Sequence, residues 1–262
     1  MTFLKAAING GRSKAEHPAV PVSPEEQARA IVECLKAGAN AIHLHVRAAL
    51  ETGTVVFGKE SLFAEDVAQL MTVVRAAAGK AAIGVSTGAW ILAEPERFRA
   101  ISAWTIQPDF ASVNFSEAGA AQLARLFLSR DVGIEAGLID FDSAQMLVES
   151  RLAPDCLRIL LEPQEQEMSD ALQTVRAIED VLSDGGKLPP LLLHGTEATT
   201  WPMLDEAITR GYGVRIGLED TLLMPDGRVA KDNIELVTEV IRRVGKERGR
   251  AHLPDLEAAE LE

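Results

Sequence analysis

Short, β-prone apolar runs alternate along the chain with longer stretches in which apolar residues recur every three or four positions. Gly, Pro, Asp or Asn punctuates each junction. The alternation repeats eight times. Strands are predicted over Phe3–Ile8, Ala41–Val46, Ala81–Val85, Phe110–Asn114, Val132–Ala136, Cys156–Leu161, Leu191–His194 and Gly213–Ile216. Helices are predicted over Pro24–Ala37, Ser61–Ala78, Pro95–Thr105, Ala118–Ser129, Asp142–Leu152, Ser169–Leu182, Glu197–Thr209 and Asp232–Arg248. Ser23 before Pro24, with Glu26 three residues on, has the form of a capping box, and Gly38, Gly79 and Gly211 stand where helices should stop. Apolar strands separated by helices imply a parallel sheet covered by helices, and eight such units imply an α/β chain closed into a (β/α)₈ TIM barrel. An open doubly wound sheet would carry a glycine-rich GxGxxG turn after its first strand, which Asn9-Gly10-Gly11-Arg12 does not match. No linker rich in Pro, Gly or Ser interrupts the pattern. Residues 1–253 therefore read as one barrel domain, and the polar, Ala/Glu-rich stretch 254–262 as a tail, either a loosely attached helix or an arm onto a neighbouring subunit.

Composition narrows the function more than the fold. Of 262 residues, 39 are acidic and 26 basic, a formal charge of −13, and no cluster of Lys and Arg is present to meet a phosphate backbone. Nucleic acid is excluded as the principal partner. A hydrophobic fraction of 47% supplies a substantial core, yet no apolar run approaches the roughly 20 residues that cross a bilayer, so no membrane partner is expected. The start, MTFLKAAINGGR, lacks the apolar stretch of a secretion signal, and a cytoplasmic protein is expected. Cys34 and Cys156 lie in helix-like and strand-like apolar contexts, which suits buried reduced thiols better than a disulfide.

In a barrel of this kind reacting groups collect at the carboxyl ends of the strands. The second predicted strand ends His43-Leu44-His45-Val46-Arg47, and the period of two sends both histidines to one side and Leu44 and Val46 to the other. The last strand carries Arg215 and leads into Glu219 and Asp220. Two imidazoles and a carboxylate form a site with open coordination positions, suited to zinc or ferrous iron. The plainer alternative keeps the histidines as core residues bonded to backbone carbonyls and the acidic pair as a loop cap. Arg215 on an inner strand needs a buried anionic partner, and Asp220 is the nearest in sequence. The same histidine pair would also open the site of a metal-dependent hydrolase of a small acid or amide, for which His194 is the one later-strand histidine on offer. A barrel that only binds a small acid is the non-catalytic reading.

Six motifs extend this picture: AINGG at Ala7–Gly11, HLHVR at His43–Arg47, STG at Ser86–Gly88, SVN at Ser112–Asn114, IEAG at Ile134–Gly137 and VRIGLED at Val214–Asp220. In this order, over nearly the whole chain, they resemble the β-keto acid cleavage enzyme family, typified by 3-keto-5-aminohexanoate cleavage. The resemblance implies a (β/α)₈ barrel holding a divalent metal, most often Zn²⁺. It implies an acyltransferase that takes a β-keto acid and acetyl-CoA to acetoacetate and a new CoA thioester by Claisen and retro-Claisen steps. It implies a homo-oligomer as well, a tetramer being one such order. Carried over by position, His43, His45 and Glu219 are the implied ligands, Asp220 the base and Arg215 its partner. Ser86, Ser112 and Asn114 would hold the carboxylate and keto end, and Glu135 matches an acidic residue near the site. No phosphate-binding loop for CoA is evident. Three departures stand out. Arg12 replaces a glutamate of members that take an amino-bearing substrate, so that substrate is not expected and a distal carboxylate or other anionic end is. Ala48 and Ala49 stand where an acidic residue is common, so support of the histidines is expected to differ. Phe115, Ser116 and Glu117 replace a glycine-containing stretch, which implies altered substrate choice. His194 is expected to line the pocket and Trp201 to serve in packing.

Overall fold

The computed structural model describes residues 2–50, 56–183, 186 and 188–251. Its elements run β1 (Leu4–Ala7), α1 (Pro24–Ala37), β2 (Ala41–Leu44), β3 (Arg47–Leu50), β4 (Val56–Glu60), α2 (Ala64–Ala78), β5 (Ala82–Ser86), α3 (Glu96–Ser102), β6 (Phe110–Asn114), α4 (Ala120–Leu128), β7 (Gly133–Leu138), α5 (Phe141–Ser150), β8 (Arg158–Leu161), α6 (Met168–Ser183), β9 (Leu191–Leu193), α7 (Thr200–Arg210), β10 (Gly213–Ile216) and α8 (Asn233–Ala251). Eight parallel strands close in the order β1-β10-β9-β8-β7-β6-β5-β2, with the helices outside. Closure is made where Leu4, Lys5 and Ala6 pair with Val214, Arg215 and Ile216. The (β/α)₈ barrel expected from the hydrophobic pattern is the fold. The tail 254–262 lies outside the described residues. Among those described, no helix is long and apolar enough to cross a membrane.

Local chemistry sets the helix bounds where the sequence signalled them. Ser23 Oγ accepts from the Glu26 amide at 3.2 Å while Glu26 Oε2 accepts from the Ser23 amide at 3.1 Å, and Pro24 fills the first helical position without wasting a donor. Gly38 ends α1 at φ +117°, a left-handed conformation that a β-carbon would strain. Ala28, Ile31 and Cys34, three residues apart along one face of α1, are buried against the barrel. The antiparallel β3–β4 hairpin, an addition to the eight repeats, was not foreseen. Strands this short leave no period long enough to read, and the hairpin follows directly on the two histidines.

The strands are less uniformly apolar than their flanks suggest. Inside the barrel, fully buried Lys5 on β1 pairs with Glu135 on β7, whose other oxygen accepts from Arg158 Nη1 of β8 at 2.9 Å. Arg158 lies over the ring of Phe3 at 4.2 Å. Burial pushes the Lys5 ammonium down, against the pull of Glu135. It would raise Glu135, but the Lys5 and Arg158 charges hold that carboxyl below its usual range. Such a triad gives little net stability, yet removing one member strands a buried charge at a cost of about 3–5 kcal/mol.

A β-carbon at Gly217, just past β10, would overlap the backbone of Ala7 on β1. Backbone cannot move aside as a flexible side chain can, so Gly217→Ala should cost at least the ~1–3 kcal/mol typical of overpacking, read as a lowered midpoint in urea unfolding. An unchanged midpoint would mean the barrel seam is looser than described. Cys34 and Cys156 are both free and buried, as expected, and burial pushes each thiol up to about 12. With almost no thiolate at pH 8, neither should react with a disulfide reagent until the chain is unfolded; rapid labelling of folded protein would contradict this.

Candidate metal centre and active site

His43 sits on β2 and His45 directly after it, while Leu44 and Val46 between and beyond them are buried in the hydrophobic core on the other side. The alternation therefore turns both imidazoles into the barrel mouth. Glu219, on the loop after β10, meets them: its Oε1 lies 3.7 Å from His43 Nε2 and 3.4 Å from His45 Nε2. One atom from each of the three residues falls within 4.8 Å of the others, a spacing open to a metal ion. The Asn9-Gly10-Gly11 turn explains itself here. A β-carbon on Gly10, at φ +51°, would collide with the Glu219 side chain, and one on Gly11 would crowd a carboxylate oxygen of Glu60 at 3.3 Å.

The charges are arranged around this cluster. Arg215 binds Glu219 and also reaches Asp220, Nε to Oδ1 at 3.0 Å and Nη2 to Oδ1 at 2.8 Å. Burial would raise Glu219, but the Arg215 guanidinium and the two imidazoles outweigh it and hold the carboxyl well below its usual range. Burial drives His43 well below the usual imidazole value, so its ring keeps a free lone pair. Burial also opposes a charge on His45, yet Glu219 and Glu60 outweigh it and lift that ring to about 9. Asp220 differs from its neighbour. Burial raises its carboxyl, Glu219 adds to this, and Arg215 and His194 only partly offset them. Fully buried, Asp220 is thus held above its usual range while Glu219 beside it is held below.

A cavity of about 360 Å³ opens over these groups, a volume suited to a small acid. His43, His45, Glu219, Arg215, Asp220, Ser86, Ser112 and Asn114 all line it, so eight of the ten residues singled out from the sequence converge. His194 lines it too, as expected, with Nδ1 3.7 Å from Asp220 and Nε2 3.4 Å from Glu162. Trp201 packs instead, donating to the Leu223 carbonyl at 2.8 Å under Arg243.

Two of the ten residues lie off the cavity wall. Glu135 is not part of the cavity wall. Its side chain points into the barrel interior, where Lys5 and Arg158 occupy both oxygens. Arg12 does not line the cavity either. Its guanidinium is drawn to Glu16, four residues on, at 3.6 Å and to Glu197 on the loop after β9, a partner that sequence distance concealed. A guanidinium so engaged is poorly placed to select an anionic substrate end.

Ser116 and Glu117, from the stretch that departs from the resemblance, line the wall, and other residues around the site carried no signal in the sequence. Glu117 pairs with fully buried Arg97, and its Oε1 accepts from the Ala89 amide at 3.0 Å and Asn114 Nδ2 at 3.1 Å. The Asn114 amide is thereby engaged by Glu117, and its carbonyl oxygen lies against Gly137, where a β-carbon would come within 2.7 Å of it. Glu162, Trp90 and Thr196 also line it. Glu60, the last residue of β4, bonds His45 Nδ1. The carboxylate missing after Arg47 is thereby supplied across the hairpin, where Glu60 stands opposite Arg47 in register.

Comparison with known proteins agrees with the geometry. A family model described as beta-keto acid cleavage enzyme matches residues 2–260. The chain is 27% identical to a 3-keto-5-aminohexanoate cleavage enzyme of Fusobacterium nucleatum over 95% of this chain and 92% of that one. It is also 27% identical to a protein of the same name from Acetoanaerobium sticklandii, over 99% and 97%. Among solved structures, apo ObcA superposes with a TM-score of 0.67 at 16% identity, covering 88% of this chain and 63% of ObcA. ObcA in ternary complex with a C4-CoA adduct and oxalate gives 0.67 at 18%, covering 88% and 65%. The chain spans just under two thirds of ObcA, and at these identities the likeness is one of fold. The match over almost every residue, together with the inward histidine pair and the glutamate that meets it, places this chain in the beta-keto acid cleavage enzyme family.

Proposed function

We propose that the protein is a metal-dependent acyltransferase that converts a β-keto acid and acetyl-CoA to acetoacetate and the acyl-CoA of the remaining fragment. The observation that carries this reading is the meeting of His43, His45 and Glu219 in one cavity with the Arg215–Asp220 pair, within a chain of this family. The donor set fits a divalent ion, and zinc is the proposed one. Two imidazole nitrogens face a carboxylate whose second oxygen is buried without a hydrogen-bond partner among the described residues. A bound ion there would act as a Lewis acid toward a keto oxygen, making the neighbouring carbon acidic.

The chain's own groups supply the rest. Ser86, Ser112 and Asn114 hold the carboxylate and keto end. Asp220, raised by burial and fixed by Arg215, takes the proton from the carbon between ketone and carboxylate. That carbon attacks the acetyl carbonyl and displaces the CoA thiolate. The thiolate then adds to the original keto carbon, the bond from that carbon to the former nucleophilic carbon breaks, and the released enolate takes back the proton held by Asp220, so that acetoacetate leaves with the substrate's carboxylate. Arg215 offsets the carboxylate charge beside these steps without giving up a proton. A hydrolase reading draws on one observation, the third imidazole of His194 in the same cavity. A panel of β-keto acids assayed with and without acetyl-CoA tests the two. Free acetoacetate that forms only when the thioester is present is expected; product release from substrate alone would favour the hydrolase.

A further inference from the structure

We propose that Glu60 is the positioning residue of the metal centre, with Trp90 closed over it, so that the β3–β4 hairpin belongs to the site and not merely to its surroundings. This rests on the metal reading above. His45 offers Nε2 toward Glu219, and a ring held at one nitrogen can still turn about its side-chain bonds. Its Nδ1 is bonded to Glu60, which fixes the plane of the ring and keeps the proton on Nδ1, so that Nε2 is the nitrogen a cation takes in place of a proton. His43 has no such help among the described residues: its Nδ1 is buried without a hydrogen-bond partner there, so orientation of the pair depends on the His45 side.

The surroundings of Glu60 are built for this bond. Trp90 Nε1 donates to the same oxygen, Oε1, at 3.3 Å, and its indole lies nearly parallel to the His45 ring, 28° between planes and 6.2 Å between centroids. The indole remains 60% exposed, a large apolar surface held at the cavity mouth by these two contacts. Gly88 accommodates it, since a β-carbon there would overlap the ring, and the bare backbone of Gly11 leaves room for Oε2 of Glu60. Two glycines, an indole and a hairpin thus converge on one carboxylate whose function is to hold one imidazole.

The test is calorimetric titration of zinc into the chelator-stripped full chain. Glu60→Gln, nearly isosteric, should bind zinc about 10- to 100-fold more weakly while melting as a folded protein. Glu65→Gln, at the exposed start of α2, should bind as wild type does. Zinc should change the indole emission of the wild type, and Trp90→Phe should remove that change while the emission of Trp104 and Trp201 stays constant. Unaltered zinc affinity in folded Glu60→Gln overturns the assignment. So does a zinc-dependent emission change that survives in Trp90→Phe, a readout that stands even if Glu60→Gln fails to fold. A wild type that takes up no zinc overturns the metal reading itself, whereas zinc uptake indifferent to Glu60 overturns only the positioning role.

Discussion

His45→Ala is expected to lose bound metal and acetoacetate formation together. The substitution removes one of three converging ligands, leaving a single imidazole and a carboxylate, and a two-ligand site competes poorly with water and buffer for zinc. If the ion contributes about 4 kcal/mol of transition-state stabilisation, as metal-assisted carbonyl chemistry commonly does, its loss lowers the rate by about three orders of magnitude. The variant also leaves Glu60 and Glu219 facing each other without the cation that His45 provides. In chelator-stripped protein this has a pH signature. Because His45 is raised to about 9 from an unfolded value near 6.5, its contribution to stability is full below about 6.5 and fades as pH rises through 9. The stability gap between stripped wild type and stripped His45→Ala should therefore be widest in mildly acidic buffer and narrow at alkaline pH to the packing cost of losing a buried ring. Elemental analysis, acetoacetate assay and denaturation at several pH values check the three parts. Wild-type turnover without metal would remove the basis of the account.

Asp220→Asn should separate binding from chemistry. The amide has the shape of the carboxyl and Glu219 is untouched, so metal content should stay near wild type while turnover falls by about 10²–10⁴, the range supplied by a positioned base. A partial reaction isolates the step. Incubated with a β-keto acid in heavy water, the wild type should speed exchange of protons on the carbon between ketone and carboxylate, and Asp220→Asn should not. Full exchange in the variant would place the base elsewhere, with His194, 3.7 Å from Asp220 Oδ1, the nearest imidazole.

How much of this was legible in the chain depended on the range of the interaction. The barrel could be read because each unit writes its own local period, and the histidine pair because alternation within one strand decides which way His43 and His45 face. Glu219 was reachable because closure of eight strands must bring the last beside the first. What fell away from the cavity, or was missed, depends on partners brought close only by folding. Arg12 read as a free cation, but Glu197 lies on a loop far along the chain. Glu135 read as a site carboxylate, but Lys5 and Arg158 on other strands claim it inside the barrel. Glu60 gave no signal because its link to His45 needs the hairpin's register, and short strands hide that register. The raised Asp220 carboxyl was likewise hidden, since pairing with Arg215 can be guessed from spacing and complete burial cannot.

The reaction itself admits one direct measurement. Acetyl-CoA carrying heavy carbon in its acetyl carbonyl is incubated with an unlabelled β-keto acid substrate, and the products are examined by carbon NMR. The account predicts the label in the keto carbon of acetoacetate and none in the new acyl-CoA. Acetoacetate without label, or unlabelled products formed equally well when the thioester is omitted, would contradict it.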